Sequence, residues 1–400
     1  MFLQDSKKCE IGVADEIPPT LRQEWRGRPF LAFATQGSGG QDEARLLTLL
    51  QQFPVRVFPF SRTSKWDSFR RLGKELSSGE YALAVMEGSG VAGGAALLWG
   101  RLRYGLPFVV SSGDAIAPFL SSRFRAGSPL FHLYEKWLYR LSAGYIGWSP
   151  YLVGRALTLG APRGVTAEGW SPHVPFNEES RSITRRRIRE QLGIPREAIV
   201  VGIAGSLAWN PRVGYCYGLE LAKAMRDVTR PDIHVLVVGD GSGRAAIESI
   251  SCEEPSPKRV HLVGHVERSE LPSYLAAMDI ASLPQSMDDV GSFRYTTKLS
   301  EYLAMRLPVM ISRIPAAYDL NQGAFWVIEG RRPWEAQYIA SVASLLNNVT
   351  PRDLAHKSQC AAVASPFFNR TEQIRRVSQF LLDLLTETAG KSLKTPNRKG

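Results

Sequence analysis

Short apolar runs alternate with amphipathic stretches along this chain, and the whole alternation occurs twice. The first run, residues 29–35, closes on Gly37-Ser38-Gly39-Gly40, and residues 42–52 then carry Leu46, Leu47, Leu49 and Leu50 at helical spacing. Residues 55–60, 81–86 and 106–111 read as further strands, with a helix over about 92–104 before the last of them. Short buried strands separated by helices predict βαβ units and a parallel sheet, hence an α/β fold. The pattern pauses over 175–198, where Arg181, Arg185, Arg186, Arg187 and Arg189 crowd a polar helix whose default reading is a solvated linker face. It restarts at 199–205 and continues through strands at 234–239, 260–263, 280–283 and 307–311, with helices near 219–228 and from Arg244. A last helix over 371–385 puts Ile374, Val377, Phe380, Leu381 and Leu384 on one side. The expected organisation is a domain over 1–176, a basic linker over 177–197, a second domain over 198–365, the last helix within 366–390, and a disordered tail over 391–400.

Composition narrows the class. With 400 residues, 44% hydrophobic and 22% charged, the chain has an ordinary globular balance and the length of two domains. Its net charge of +11 lies mostly in the first 190 residues and suits an anionic partner: nucleic acid, a membrane surface or a phosphate-bearing ligand. Nucleic acid is the poorest fit, because the basic residues do not interleave with aromatic ones along one element. Cys9, Cys216, Cys252 and Cys360 stand far apart, which encodes neither a disulfide framework nor a zinc site and predicts a reducing compartment. Charge at Asp5, and no apolar run of the roughly 20 residues a membrane span needs, predict an intracellular protein without a signal peptide.

Three segments carry candidate chemistry. Gly239-Asp240-Gly241-Ser242-Gly243 follows a buried strand and opens a helix, which suits either an anion or a plain chain reversal. Gly88-Ser89-Gly90-Val91-Ala92-Gly93, with Asp114 downstream, matches the spacing of a dinucleotide fingerprint. It sits on the third strand rather than the first, so close packing of a small-residue helix is its default reading. In the third segment, Thr296 or Thr297 can cap a helix that carries Lys298 in its first turn and Glu301 one turn on. A cation at that helix end opposes the dipole unless an anion sits there, and a phosphate satisfies both. Asp288-Asp289 lacks a third ligand and reads as a solvated turn, so no metal site and no cofactor are expected.

The second half also carries a resemblance. Gly205-x-Leu207, Val237-Val238-Gly239-Asp240-Gly241, Val260-x-Leu262-x-Gly264-x-Val266, Leu271-x-x-Tyr274-Leu275-Ala276-Ala277-Met278-Asp279, Leu283-Pro284 and Lys298-Leu299-x-Glu301-Tyr302-Leu303-Ala304-Met305-x-x-Pro308-Val309 occur in the order seen in family 4 glycosyltransferases. The match over the first half is looser and rests on Gly39-Gly40, on Pro107-Phe108-Val109-Val110 before Asp114, and on residues 143–149. The resemblance implies a GT-B fold: two facing Rossmann-like domains, the C-terminal helix crossing back to the first. It implies transfer of a sugar from a nucleotide-sugar donor to a saccharide, lipid-linked or small-molecule acceptor, retaining and metal-independent, of the kind that builds cell-envelope polysaccharide. Carried over, Glu301 holds the donor ribose. Gly264, His265 and Val266 meet the base, and Gly39, Gly40, Gly205, Thr296 and Thr297 line the donor. Asp114, Arg212 and Lys298 are the catalytic candidates. The chain departs from the pattern at Phe293, where the first glutamate of Glu-x7-Glu belongs, at Ser206, where arginine is frequent, and at Gly113, where histidine precedes the aspartate. A nicotinamide-dependent oxidoreductase and a non-catalytic GT-B-like binding protein are the alternatives.

One stretch bears on location. Residues 130–141 combine Leu130, Leu133, Trp137 and Leu141 at helical spacing, with Arg123 and Arg125 just before. They read either as packing on the sheet or as an interfacial helix that brings a cytoplasmic protein into peripheral contact with the inner face of the membrane.

Overall fold

The computed structural model describes residues 27–171, 177–252, 259–294 and 296–392. The tail expected over 391–400 falls outside the described residues from 393 on. Contacts divide the chain into two units: the first runs to Gly169 and takes in Phe293, Arg294 and the stretch from Arg370, and the second holds 170–292 and 296–369.

The first unit strings β1 (Phe30–Ala34), α1 (Gln41–Leu49), β2 (Val55–Val57), α2 (Lys65–Leu76), β3 (Leu83–Glu87), α3 (Val91–Tyr104), β4 (Phe108–Ser112), α4 (Ile116–Arg123), α5 (Ser128–Leu141), β5 (Gly144–Gly147), α6 (Pro150–Thr158) and β6 (Gly164–Thr166). The second continues with α7 (Glu178–Leu192), β7 (Ile199–Ala204), α8 (Leu219–Ala224), β8 (Ile233–Val238), α9 (Arg244–Ser251), β9 (Val260–Gly264), α10 (Leu271–Ala276), β10 (Ile280–Leu283), α11 (Thr297–Ala304), β11 (Val309–Ser312), α12 (Ala316–Asp319), β12 (Phe325–Ile328), α13 (Ala336–Asn348) and α14 (Pro351–Ala364). Each unit holds one six-stranded sheet with every described pairing parallel, ordered β2-β1-β3-β4-β5-β6 and β12-β11-β10-β7-β8-β9. The central strands are wholly buried and apolar but for Glu87 at the end of β3 and His234 in β8, as suits helix-covered parallel strands. Strand order reverses between β1 and β3 in the first sheet and between β7 and β10 in the second. At such a reversal the flanking crossovers leave in opposite directions, and a crevice opens beyond the carboxyl ends of the two strands.

The α/β expectation holds, and so does the return of the C-terminal helix. The last helix, α15 (Arg370–Ser392), belongs to the first unit. Its Phe380 ring closes over Gly144, where an added Cβ would lie 2.6 Å from the ring. Buried Gln373 accepts from the Gly169 amide (2.8 Å) and donates to the Gly169 carbonyl (2.5 Å), a two-way clamp at the point where the chain leaves the unit.

Two expectations need correction. Residues 177–197 are not a solvated linker. They hold α7, where Arg185 donates to the Met278 carbonyl and Asp279 (3.0 and 2.6 Å) and buried Arg189 to the Ala277 and Ala198 carbonyls and Asp279 (3.0, 2.7 and 2.6 Å). The guanidinium groups answer the carbonyls left open at the end of α10, so the arginine run is structural cement of the second unit. Helix α5, in turn, packs Leu141 against the core but does not turn Leu130, Leu133 and Trp137 toward the sheet; it buries Glu135, Leu138 and Tyr139. Glu135 is taken inward by the Ile116 amide (3.0 Å) and by Arg155 (2.6 Å), and the apolar stripe faces out.

Candidate functional site

In the second unit the turns beyond β7, β8 and β9 are laced to one another. Gly205 donates to the Val238 carbonyl (2.9 Å), Gly239 to Gly264 (2.8 Å), Leu207 to Asp240 (3.0 Å) and Gly243 to Leu207 (2.8 Å). Gly239 has φ +137°, and a Cβ there would strike the Gly205 carbonyl oxygen. The glycines of 239–243 therefore serve the approach of chain to chain, the plainer of the two readings.

Lys298 reaches into this crevice. It lies in the first turn of α11, after β10, and so at the strand-order reversal. A Cβ on Gly205 would sit 2.6 Å from its Cε and Nζ, and the ammonium rests 4.0 Å from the centre of the Tyr217 ring. One turn on, Glu301 is almost wholly buried, with Arg268 Nη2 3.6 Å from its carboxylate. Burial raises its pKa, while Arg268 and Lys298 pull it back. Thr296 occupies the N-cap position of α11 but makes no side-chain capping bond, and its buried Oγ1 has no hydrogen-bond partner. Thr297 begins the helix and accepts at its carbonyl from Ser300 (2.7 Å). An orphan hydroxyl, a cation and a buried carboxylate thus lie within the first two turns of one helix, polar groups that a ligand rich in hydroxyl and phosphate oxygens would satisfy.

The other candidates of this unit surround those groups unevenly. Gly264 (φ +87°) joins the laced turns, Val266 is half-buried, and the His265 side chain is exposed, 4.0 Å from Glu267. Arg212 stands on an exposed turn, its amide donating to Asn210 Oδ1 at 3.1 Å. Asp288 accepts from the amides of Val290 and Gly291 (3.0 and 2.8 Å) and so caps its own turn. Among the described residues, no three His, Cys, Asp or Glu side chains are grouped to hold a metal.

The first unit has its own candidates at its own reversal. Gly39 (φ +76°) and Gly40 are exposed beyond β1, and Gly39 donates to Glu43 (2.6 Å), whose other carboxylate oxygen is buried without a partner. Asp114 follows β4 and receives Arg294 Nε at 2.8 Å, while burial, and less strongly Asp114, raises the carboxyl of Asp42 against the pull of Arg45. Phe293, at the place of the missing glutamate, belongs to this unit, with the Arg155 guanidinium 5.5 Å from its ring centre. The G-x-G-x-x-G match is packing: a Cβ on Gly90 would lie 2.6 Å from Thr35 and one on Gly93 2.7 Å from Phe33.

Two buried carboxyls carried no signal in the sequence. Glu87, 1% exposed, is held by Arg45 (3.0 Å), Ser111 (2.7 Å) and the Trp148 indole (3.1 Å). Glu220 receives Tyr215 (2.8 Å) and the Gly218 amide (3.0 Å). Burial pushes each up to about 7, against those partners. A carboxyl raised in the folded state contributes stability that is full below its ordinary value near 4.5 and is lost as pH rises toward 7. The melting temperature is thus expected to be a few degrees higher at pH 5.5 than at pH 8. Glu220→Gln should flatten that slope in calorimetry, and an unchanged slope would show that Glu220 does not titrate there.

Comparison with known proteins agrees with the resemblance. The family model described as glycosyl transferases group 1 matches residues 198–348. A 2-deoxystreptamine glucosyltransferase of Streptomyces kanamyceticus is 27% identical over 192 residues, 47% of this chain and 49% of that protein. The chain thus matches about half the length of this curated relative. Among solved structures, Anabaena HepE in complex with UDP and glucose superposes with a TM-score of 0.65 at 16% identity, covering 88% of this chain and 99% of that one. Sucrose-phosphate synthase of Thermosynechococcus elongatus gives 0.68 at 15% identity, covering 90% and 100%. Identities this low speak for the fold, and the fold is GT-B.

Proposed function

Because residues 198–348 match the family model of glycosyl transferases group 1, we propose that the chain transfers a sugar from a nucleotide-sugar donor to a saccharide, lipid-linked or small-molecule acceptor. The transfer retains anomeric configuration, needs no metal, and takes place in the cytoplasm with peripheral contact to the inner face of the membrane. The observation that carries the reading is Lys298 beside Gly205 at the β7/β10 reversal, with buried Glu301 one turn along α11. Negative charge grows on the departing nucleoside diphosphate in the transition state. A fixed ammonium and the positive end of a helix stabilise it without reorganisation.

Each other residue has a role consistent with its position. Glu301 accepts from the ribose hydroxyls, its buried charge balanced by Arg268. Backbone at Gly264, His265 and Val266 meets the base. Arg212 adds a cation toward the diphosphate, and the unpartnered Thr296 hydroxyl, with Thr297, bonds the donor. In the first unit Gly39 and Gly40 admit the sugar and phosphates, and Asp114, oriented by Arg294, receives the acceptor proton.

UDP-glucose is the first donor to test, because one relative is a glucosyltransferase and HepE is described with UDP and with UDP-glucose. Acceptor-dependent release of UDP from UDP-glucose, with 2-deoxystreptamine and simple sugars offered in the presence of EDTA, is the expected result. If no nucleoside diphosphate leaves UDP-, GDP- or ADP-sugars with any acceptor, the transferase reading fails and a non-catalytic role takes its place.

A further inference from the structure

Helices α2, α3 and α5 lie neighbour against neighbour in the first unit. The α2 residue Leu76 fills the space at Gly100 of α3, and Tyr134 and Leu138 of α5 fill that at Gly94, with the Tyr134 hydroxyl donating to the Gly90 carbonyl (3.2 Å). The outward faces of α3 and α5 carry large apolar residues. On α3, Trp99 and Leu102 are 54% and 71% exposed; on α5, Leu130, Leu133 and Trp137 form an i, i+3, i+7 stripe, with Leu130 71% exposed. On α2, Trp66 stands out beneath the Arg70 guanidinium, 5.3 Å away. Single exposed apolar residues are ordinary, but exposed apolar residues grouped on the two adjacent helices α3 and α5 are a surface that needs an explanation.

On α3 and α5 the charges beside these residues have one sign, whereas α2 mixes Lys65, Arg70, Arg71 and Lys74 with half-buried Glu75 and exposed Asp67, which pairs with Arg71 at 3.6 Å. Between Val91 and Leu141 the exposed ionisable side chains are Arg101, Arg103, Arg123, Arg125, Lys136 and Arg140, with His132. The acids in that span are Asp114, paired with Arg294, and Glu135, wholly buried against Arg155. A second copy packed symmetrically on this face would set the same cations against one another. An anionic lipid surface complements them, and tryptophan, tyrosine and leucine flanked by arginine are the residues that settle at the boundary between headgroups and acyl chains.

We propose that the joint outer face of α3 and α5 is the surface by which the first unit docks on an anionic bilayer, Leu130, Leu133, Trp99 and Leu102 entering the interface while the arginines and Lys136 engage lipid phosphates. This deepens the membrane contact proposed above and is independent of sugar transfer, since binding to vesicles and turnover are separate readouts.

Co-sedimentation of the full chain with phosphatidylglycerol-containing vesicles, against pure phosphatidylcholine, tests it. Binding is expected to be at least tenfold stronger on the anionic vesicles, to fall with added salt, and to blue-shift tryptophan fluorescence. Each cation removed should cost about fivefold in partitioning, so Arg103→Glu with Lys136→Glu should lower binding by about 25-fold or more. Leu102→Ser with Leu130→Ser and Leu133→Ser should weaken it and reduce the fluorescence shift, all with unchanged melting. No binding at low salt overturns the proposal, as does binding untouched by both sets of substitutions. Self-association that the serine variant abolishes, without vesicle binding, also overturns it and assigns the face to a second copy.

Discussion

Replacing Lys298 by alanine should lower kcat/KM for the preferred nucleotide sugar by about 100- to 1000-fold, the cost of removing one preorganised donor from developing charge. The side chain lies against a glycine turn and the face of Tyr217, at a helix end where its charge opposes the dipole. Removing it takes away the Tyr217 contact and part of the charge balance of Glu301, and should lower the melting temperature by no more than a few degrees. Gly205→Ala probes the same geometry from the other side, because the added Cβ would lie 2.6 Å from Cε and Nζ and push the ammonium away. It should show a loss of the same kind. Turnover by Lys298→Ala within twofold of the wild type removes the phosphate role.

Arg45→Ala is expected to destabilise the first unit by about 3–5 kcal/mol, the range for breaking a buried ion pair from one side. It strips the Glu87 carboxylate of its cation, frees the Ala167 carbonyl that Arg45 Nη2 binds at 2.5 Å, and empties the space over the Trp148 ring, 4.0 Å from the guanidinium. Without Arg45 the Glu87 carboxyl rises above its already raised value of about 7 and keeps a proton over a wider range. The loss should therefore be greatest at pH 8 and smaller at pH 5.5. Chemical denaturation of wild type and variant at the two pH values measures it. A difference below about 1 kcal/mol at pH 8 would mean that solvent reaches Glu87 in the folded protein.

What the sequence revealed follows from the range of the interactions involved. Strands such as Phe30–Ala34 and Ile199–Ala204 were legible because a parallel strand covered on both faces is apolar along its length. The Lys298 and Glu301 pair was legible because a helix places them on successive turns. Arg185 and Arg189 were misread because a run of arginines looks solvated until the carbonyls of Ala277 and Met278, about 90 residues away, are brought against it. Arg45 with Glu87, and Arg268 with Glu301, are set by chain crossings that leave no local trace. The stripe at Leu130, Leu133 and Trp137 had the right spacing but gave no indication of which side of α5 faces the sheet. That was decided by Glu135, which the Arg155 ion pair draws inward.

Titration calorimetry of UDP, GDP and ADP into the full chain, in EDTA, tests the central claim most directly. Saturable binding of at least one nucleoside diphosphate is expected, with no response to NAD or NADP and loss of that heat in the doubly substituted Lys298→Ala, Glu301→Ala protein with its fold intact. Binding that survives both substitutions, or no binding of any of the three, would contradict a donor site at the β7/β10 crevice.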